Sequence, residues 1–426
     1  MSITTTQDPL RPGATGFKAW LMTWVAGRIP FGFRVLRAIR PILRFRNTVV
    51  VTRYDDVREV FLNDQAFRVP WARKVGIITG GFPFILGMDD TPVYRDDVAA
   101  LMKVVRPADI AQRLAPEVEQ LAERIVAEAN GDLEVVDSLV RRVTFEVLGS
   151  YFGIPNPPDG DMRVWATRLF EFQFVDAADD PALRAEVDVL APRLRAHVQG
   201  LIDARRASGV KQDDVLGRCL DEQAAGNARF TDDWIRVALM SFAVGGPPQP
   251  PMVAPQALEQ LLRRPDALAG AQQAACANDD QLLAGYFFEA MRFDPLGPAL
   301  PRVATQPAVI AAGTSRATQV PEGATVYAAF SSAMMDERRL LDPQSFNPRR
   351  LPHEYIHFGY GLHTCFGAQM NKALLPLMLK PLLKRSNLRR APGPAGRLSK
   401  RGAFAERLWV NYDLCTDHAS TRRAGR

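Results

Sequence analysis

The sequence has few of the residues that build disulfide or zinc frameworks. It contains four cysteines and five histidines in 426 residues. Cys219, Cys276, Cys365 and Cys415 lie far apart and form no CxxC pair. This spacing excludes a disulfide framework and a structural zinc site, and it predicts a reduced, cytoplasmic protein.

Long apolar runs are missing as well. No uninterrupted apolar segment approaches the roughly 20 residues of a membrane-spanning helix, and no apolar stretch near the N-terminus precedes a small-residue cleavage site. The sequence therefore predicts neither a membrane span nor a secretory signal. What is present is 47% hydrophobic and 23% charged residues, a composition typical of a globular protein with a large core.

Acidic residues are nearly absent from the first 54 positions, where Asp8 alone faces nine basic residues. Interleaved side chains such as Trp20, Trp24 and Phe31 make residues 1–45 an arm that contacts a membrane surface or an acidic partner. The alternative, which the short apolar runs favour, is an arm packed on its own domain. Elsewhere the excess arginines are scattered without a nucleic-acid-binding motif, so nucleic acid is excluded as a partner.

Most of the chain has the apolar repeat of an α-helix. From about residue 95 to 293, apolar residues recur every three to four positions, whereas strand-like pieces near 47, 308, 324 and 407 are short. We expect a mainly α fold with small β-sheets. The predicted division is a basic arm (1–45), one domain (46–414) and a disordered tail (415–426).

The segment HFGYGLHTCFG carries the most specific pattern. It reads F-x-x-G-x-H-x-C-x-G, with Phe358, Gly361, His363, Cys365 and Gly367 at the fixed positions. This pattern resembles the haem-binding loop of the cytochrome P450 family. The resemblance implies the P450 fold and haem b (iron protoporphyrin IX), with the Cys365 thiolate as metal ligand.

Each residue of this loop suits that chemistry. A thiolate ligand favours cleavage of the O–O bond, and it needs hydrogen-bond donors such as the free N–H groups of the helix that follows. Gly361 permits a sharp reversal of the chain, and Gly367 permits a close approach of the backbone to the macrocycle. Phe358 is expected to shield the sulfur from water.

The resemblance implies two further sets of residues. Glu289 and Arg292 lie one helical turn apart and, with Arg350, match a structural ion network of the family. His363 and Arg302 match positions that hold the haem propionates. A third propionate contact is altered, since Tyr94 stands where the family has histidine.

The central helix departs from the family pattern. In SFAVGGPPQPPMVAP the position of the usual acid falls on Pro248 and that of the usual alcohol on Gln249. Proline inside a helix costs about 3 kcal/mol but is tolerated in the first turn. We expect one helix to end near Val244, a hinge at Gly245 and Gly246, and a second helix from Pro247, with Gln249 as the polar group at the break.

Three functions remain open at this point. The first is a P450 monooxygenase that hydroxylates an apolar lipid-like, terpenoid or steroid substrate, with Gln249 and water as the proton route. The second is an H2O2-driven peroxygenase or a fatty-acid hydroperoxide isomerase, because the O–O bond then arrives preformed. The third is a haem- or ligand-binding protein with little turnover. Met370, Asn371 and Lys372, with Pro376 and Pro381 interrupting the last core helix, resemble the P450 modules of fatty-acid oxygenases.

The substrate pocket is predicted to be apolar. Its candidate residues are Trp71, Arg73, Ile77, Phe82, Phe84, Phe170, Phe174, Val244 and Leu296. Arg73 or Lys74 either anchors a carboxylate at the mouth or is solvated, and the sequence favours solvation. If oxygen is activated reductively, basic residues near Lys372 and Lys384 should attract a ferredoxin or a flavodoxin.

Overall fold

A computed structural model describes residues 27–413. Over that range the chain forms fifteen α-helices. They are α1 (Ile29–Ile39), α2 (Tyr54–Leu62), α3 (Ala72–Thr79), α4 (Pro92–Val104), α5 (Ala115–Glu128), α6 (Arg142–Phe152), α7 (Met162–Phe170), α8 (Pro181–Ser208), α9 (Val215–Ala224), α10 (Asp232–Gly245), α11 (Pro250–Leu262), α12 (Pro265–Cys276), α13 (Asp280–Phe293), α14 (Phe330–Ala333) and α15 (Ala368–Leu383).

Twelve short strands form four sheets in the same range. They are β1 (Ile42–Phe45), β2 (Thr48–Val51), β3 (Phe67–Arg68), β4 (Asp132–Glu134), β5 (Leu300–Ala304), β6 (Ala308–Ile310), β7 (Thr318–Val320), β8 (Thr325–Ala328), β9 (Arg389–Arg390), β10 (Ser399–Arg401), β11 (Phe404–Arg407) and β12 (Trp409–Asn411). The largest sheet has the order β1-β2-β8-β5-β3, with β2 and β8 parallel. The mainly α fold with small sheets is therefore confirmed.

Two apolar cores hold these elements together. The larger core lies among the helices, and α15 packs along α5, α13 and α11. The smaller core lies between the five-stranded sheet and α2. The loop that carries Cys365 enters α15, so the candidate site is anchored to the helical core.

The predicted break in the central helix is present. Helix α10 ends at Gly245 and α11 begins at Pro250, with Gln249 as its N-cap. The second helix starts three residues later than the sequence predicted, because Pro247 and Pro248 form a turn before the helix begins. Pro250 and Pro251 then occupy the first turn of α11, where a missing N–H costs nothing.

One prediction about the last core helix is wrong. Pro376 and Pro381 do not interrupt α15, which runs from Ala368 to Leu383 through both of them. Both prolines are buried, and the apolar face of α15 packs against α5 and α13. We attribute the continuity to this burial, which offsets the lost helical hydrogen bonds.

The predicted arm lies only partly within the described residues. Helix α1 is fixed to the body by Arg37, whose buried guanidinium donates to the side chain and the carbonyl of Ser332 at 2.8 and 3.1 Å. Strand β1 pairs with β2 across the predicted boundary at residue 45. Residues 1–26 and 414–426, including most of the arm and the predicted tail, lie outside the described range, and the division into domains stays a prediction.

Candidate functional site

The cysteine loop is a tight turn held by its own backbone. The N–H of Cys365 donates to the carbonyl of Phe358 at 2.9 Å, and Gly361–His363 forms a single turn of 3-10 helix between them. Gly361 has a φ of +75°, and a Cβ there would lie 2.6 Å from the carbonyl oxygen of Phe61. Only glycine fits this reversal, as the sequence predicted.

The sulfur of Cys365 lies at the start of α15. The N–H of Gly367 donates to this sulfur and lowers the pKa of the thiol, but burial is the larger effect and raises it. A Cβ on Gly367 would lie 3.9 Å from the sulfur, which is ordinary van der Waals contact, so the sulfur itself does not require a glycine at this position. A partly buried thiol with one backbone donor needs a further positive charge to ionise, which a metal ion supplies.

The ring of Phe358, in the same turn, packs against α13. Its ring centroid is 5.9 Å from that of Phe288 on α13. The ammonium of Lys372 lies 6.0 Å from the ring of Phe358. Lys384, the other predicted basic contact, is 3.3 Å from Glu119 on α5, so part of its charge is already compensated.

Arg302 on β5 is a buried cation without a full set of partners. Its side chain is 1% exposed, and its Nε has no hydrogen-bond partner among the described residues. Burial lowers the pKa of Arg302 to about 10, against a weaker raising effect of Asp64. A buried guanidinium in this state calls for an anion.

His363 and Tyr94 lie next to this cation. Burial, with a smaller effect of Arg302, lowers the pKa of His363 to about 4, so the imidazole is neutral and retains one N–H donor. The ring of Tyr94 is 6.1 Å from the ring of His363, and its hydroxyl donates to the carbonyl of Leu362 at 3.0 Å. A buried cation and a neutral imidazole donor near a partly buried thiol fit a haem with its propionates.

The predicted ion network is assembled next to this loop. Arg292 donates to both oxygens of Glu289 at 2.9 and 2.7 Å, and Arg350 Nε donates to Glu289 Oε1 at 3.2 Å. Tyr355 and the backbone of Asn347 also donate to Glu289. All donors face one fully buried carboxylate, so the network fixes the chain between residues 347 and 355, just before the cysteine loop.

The side chain of Gln249 bonds to the backbone within the helix break. Its side-chain Nε2 donates to the carbonyl of Gly245, four residues earlier, and the N–H of Gly246 donates to Phe242 at 3.0 Å. The amide nitrogen is thus engaged, and Oε1 is the part of Gln249 that can accept a hydrogen bond. The ring of Phe242 lies 5.7 Å from that of Phe366, which follows Cys365, so the end of α10 lies against the cysteine loop.

Several predicted pocket residues meet in one aromatic cluster. The ring of Phe174 is 5.5 Å from Trp71 and 4.8 Å from Phe170. Phe170 is in turn 6.4 Å from Phe404. Phe404 begins β11 and was missed, because a lone aromatic residue in a late hairpin gives no local signal.

The remaining predicted pocket residues are more dispersed. Phe82 and Phe84 line a separate cleft of about 490 Å³ beside Trp234, although Phe84 also lies 6.2 Å from Phe242. Ile77 and Leu296 are partly buried and Val244 is fully buried at the edge of the helical core.

The two basic residues at the predicted pocket mouth, Arg73 and Lys74, both form ion pairs, and only Arg73 is exposed to solvent. Lys74 is buried, lies 3.3 Å from Asp176 and 3.1 Å from Asp179, and has its ammonium 4.7 Å from the ring of Phe172. Arg73 is exposed but lies 2.7 Å from Asp179. The expectation of solvated side chains was wrong for Lys74, because the acidic loop after Val175 folds over it.

Comparison with known proteins identifies the same family that the cysteine loop resembles. The family model "Cytochrome P450" matches residues 188–401. Cytochrome P450 monooxygenase PikC of Streptomyces venezuelae is 26% identical over 362 residues, 82% of each chain. Steroid C26-monooxygenase of Mycolicibacterium smegmatis is 25% identical over 368 residues, covering 85% of this chain and 87% of that one.

A third relative is a bifunctional protein. The bifunctional dioxygenase (DOX)-epoxy alcohol synthase (EAS) of Pyricularia oryzae is 31% identical over 398 residues, 83% of this chain but 34% of that protein. Among solved structures, P450BioI in complex with a hexadec-9Z-enoic acid ligated acyl carrier protein has a TM-score of 0.78 at 17% identity, covering 92% of this chain and 100% of that one.

These relatives do not favour the third expectation, a binding protein with little turnover, because they are named as monooxygenases and a synthase. The family match spans half of the chain, and the fold and the cysteine loop agree with it. The chain belongs to the cytochrome P450 family and is a haem-thiolate monooxygenase.

Proposed function

We propose that this P450 binds haem b through Cys365 and hydroxylates an apolar substrate at the end of α10. The observation that carries the proposal is the donor set: a partly buried thiol on Cys365 that accepts from the N–H of Gly367, and a buried guanidinium on Arg302 with an unused Nε. When bound, the haem supplies reductive activation and cleavage of the O–O bond.

The chain's own residues have three tasks in this proposal. Cys365 ligates the iron, and the N–H of Gly367 stabilises the thiolate. Arg302 and His363 donate to the propionates, because Arg302 is buried without an anionic partner in direct contact and His363 lies near it. Tyr94 packs against His363, and its hydroxyl proton is used by the carbonyl of Leu362. The Glu289 network holds the preceding segment in place without touching the substrate.

At the helix break Gln249 takes the place of the missing alcohol. Its Nε2 donates to the carbonyl of Gly245, and this bond fixes the orientation of the amide. The side-chain oxygen Oε1 can then accept a hydrogen bond from water. Gly246 lets the chain turn and Pro248 removes a backbone donor that would compete for the same water. This arrangement orients water without an acidic side chain at the break.

The substrate class is apolar and lipid-like, terpenoid or steroid. The aromatic cluster of Trp71, Phe170, Phe174 and Phe404 supports this proposal, because it offers large apolar surfaces and no uncompensated charge. Lys74 and Arg73 are paired with aspartates, so a carboxylate group on the substrate is not required.

A second candidate is the isomerisation or peroxide-driven oxidation of a fatty-acid hydroperoxide. Two observations favour it. The bifunctional dioxygenase-epoxy alcohol synthase is 31% identical over most of this chain. The helix break, without acid or alcohol, suits a reaction in which the O–O bond arrives preformed.

One experiment separates the two candidates. The haem-loaded protein is given a panel of steroids, terpenoids and fatty acids under three regimes: O2 with a reductase system, H2O2 alone, and fatty-acid hydroperoxides without electrons. Hydroxylated product that appears only with O2 and electrons supports the monooxygenase. Rearranged hydroperoxide without electrons supports the second candidate, and a Cys365→Ser variant is the control for haem-thiolate chemistry in each regime.

The electron donor in the first case is proposed to be a ferredoxin or flavodoxin. Lys372, close to Phe358 of the cysteine loop, is the basic residue that supports this docking side. A cytoplasmic location and a peripheral membrane contact are also proposals. No helix within residues 27–413 is long and apolar enough to cross a bilayer, and the exposed Phe31, Val35 and Ile39 on α1 support the membrane contact.

A further inference from the structure

The hairpin of β10 and β11 carries Phe404 into the aromatic cluster. Among the described residues the two strands form a sheet of their own, and an isolated two-stranded hairpin is marginally stable. Phe404 and Ala405 on β11 are buried, whereas all three residues of β10 are half-buried. The position of β10 therefore depends on the side chains that join it to the body of the protein.

Lys400 joins β10 to the ends of two other elements. Its ammonium donates to both carboxylate oxygens of Asp294 at 2.9 and 2.8 Å, and to the side-chain oxygen of Gln256 at 3.0 Å. An ammonium has three N–H donors, so these bonds use all of them. Gln256 lies on α11 and is 1% exposed, which ties the arrangement to the helical core.

The strand pairing of the hairpin is irregular at the same residue. Lys400 pairs with Ala405 but Ser399 pairs with Arg407, so Glu406 is an extra residue on the facing strand. A bulge of this kind interrupts the ladder of hydrogen bonds and re-aims the neighbouring side chains. Because the ladder is interrupted beside Lys400, the bonds of its ammonium hold this part of β10 in place.

The ion pair of Lys400 and Asp294 connects two walls of the proposed pocket. Asp294 ends α13 and lies two residues before Leu296, a partly buried residue of the predicted pocket. Phe404 lies four residues after Lys400, and its ring is 6.4 Å from that of Phe170. A displacement of the hairpin by about 1 Å changes the separation of these walls, and a displacement of that size alters how a bound substrate meets a reacting centre.

We propose that Lys400 is a positioning residue that holds Phe404 and Leu296 at a fixed separation and thereby determines which carbon of an apolar substrate is oxidised. The inference rests on the proposed function, because the position of oxidation is read from a product. Lys400 and Asp294 are 27% and 28% exposed, and an ion pair of this exposure adds little to the free energy of unfolding. The pair therefore acts through the geometry of the pocket walls.

The first test measures the hairpin without any turnover. Hydrogen–deuterium exchange of the haem-loaded full chain is followed by mass spectrometry in the parent and in Lys400→Met, which keeps an aliphatic side chain but removes the charge. Amides of residues 399–407 should exchange about tenfold faster in the variant. Lys211→Met is the matched control, because Lys211 pairs with Asp221 at 3.3 Å on an exposed surface, and it should leave the hairpin unchanged. Equal exchange of the hairpin in Lys400→Met and the parent would overturn the anchoring.

The second test measures the position of oxidation. The panel compound that gives most product with O2 and electrons is converted by each variant, and the positional isomers are quantified. Lys400→Met should raise the share of minor isomers at least about fivefold, and Phe404→Ala should raise it as well. The double exchange of Lys400→Asp with Asp294→Lys restores opposite charges and should return the share at least halfway to that of the parent. A merely stabilising pair would lower all isomers together, so an unchanged share in Lys400→Met would overturn the positioning role.

The two tests also separate this inference from the proposed function. If the parent converts only fatty-acid hydroperoxides, the monooxygenase proposal fails, and the share of minor isomers is read from the rearranged products instead. A share that Lys400→Met leaves unchanged there would overturn the positioning role by itself. If the parent forms no product in any regime, the proposed function and the positioning role fail together, and the exchange result decides the anchoring of the hairpin.

Discussion

The cysteine loop and the helix break lie against each other but differ in how they satisfy their backbones. In the loop, residues of the family pattern make defined contacts, such as Cys365 N–H to Phe358 and the close approach at Gly361. At the break, prolines remove backbone donors, and the side-chain amide of Gln249 donates to the carbonyl of Gly245 instead. The difference supports the proposal that the metal ligand of this chain follows the family pattern, whereas the helix break departs from it.

The largest expected effect comes from replacing the proposed metal ligand of the cysteine loop. Cys365→Ser should abolish the thiolate-type Soret band of the reduced, carbon-monoxide-treated protein and lower turnover by about 1000-fold or more, because the thiolate drives O–O cleavage. The measurement is an absorption spectrum with turnover assayed in parallel. An unchanged spectrum would contradict the assignment of the metal ligand, and Cys276→Ser, an exposed cysteine, is the matched control.

The support of the loop can be broken separately. Glu289→Ala leaves Arg292 and Arg350 buried without their carboxylate, so it should lower the free energy of unfolding by about 3–5 kcal/mol. Denaturant unfolding of the full chain measures this loss.

The control for the buried network is Glu117→Ala, which removes a partly exposed partner of Arg113 and should cost less than about 1 kcal/mol. A loss at Glu289 as small as that at Glu117 would show that the buried network does not stabilise the fold.

The break is probed by Gln249→Ala. This variant should lower product per electron about 10- to 100-fold while leaving the Soret spectrum unchanged, because the amide positions water and does not ligate the metal. Gln249→Glu keeps a side-chain oxygen as acceptor but loses the donation to the carbonyl of Gly245, so it should recover only part of the loss. An equal loss of product in both variants would contradict the role of Oε1.

The smallest effect concerns the pH dependence of the segment before the cysteine. Burial lowers the pKa of His357 to about 4, below its value of about 6.5 in an unfolded chain. The unfolded state therefore binds more protons below pH 6.5, and His357 makes the folded state lose stability as pH falls from 6.5 towards 4.

His357→Gln keeps a donor for the carbonyl of Phe288, which His357 Nε2 contacts at 3.0 Å, but it does not titrate. We expect the variant to lose about 1 kcal/mol less than the parent protein between pH 6.5 and 5.5. Unfolding midpoints measured across that range test this, and parallel pH profiles of the two proteins would contradict it.

The sequence predicted the fold class, the turn of the cysteine loop and the break in the central helix. The F-x-x-G-x-H-x-C-x-G spacing and the helix break depend on residues close in sequence, so their conformations could be predicted from glycine and proline chemistry. The pairing of Lys74 with Asp176 and Asp179 could not, because it depends on how a loop a hundred residues later folds back. The same holds for Phe404, which reaches the pocket through a hairpin near the C-terminus.

By itself the sequence determined the turn of the cysteine loop, the helical segments and the absence of the usual acid and alcohol from the central helix. Each of these features depends on residues that are close together in the sequence. Only the tertiary structure decided that Pro376 and Pro381 stay within a continuous helix and that the nitrogen of Gln249 is already bonded to Gly245. These outcomes depend on burial and on contacts between distant segments, which local patterns do not encode.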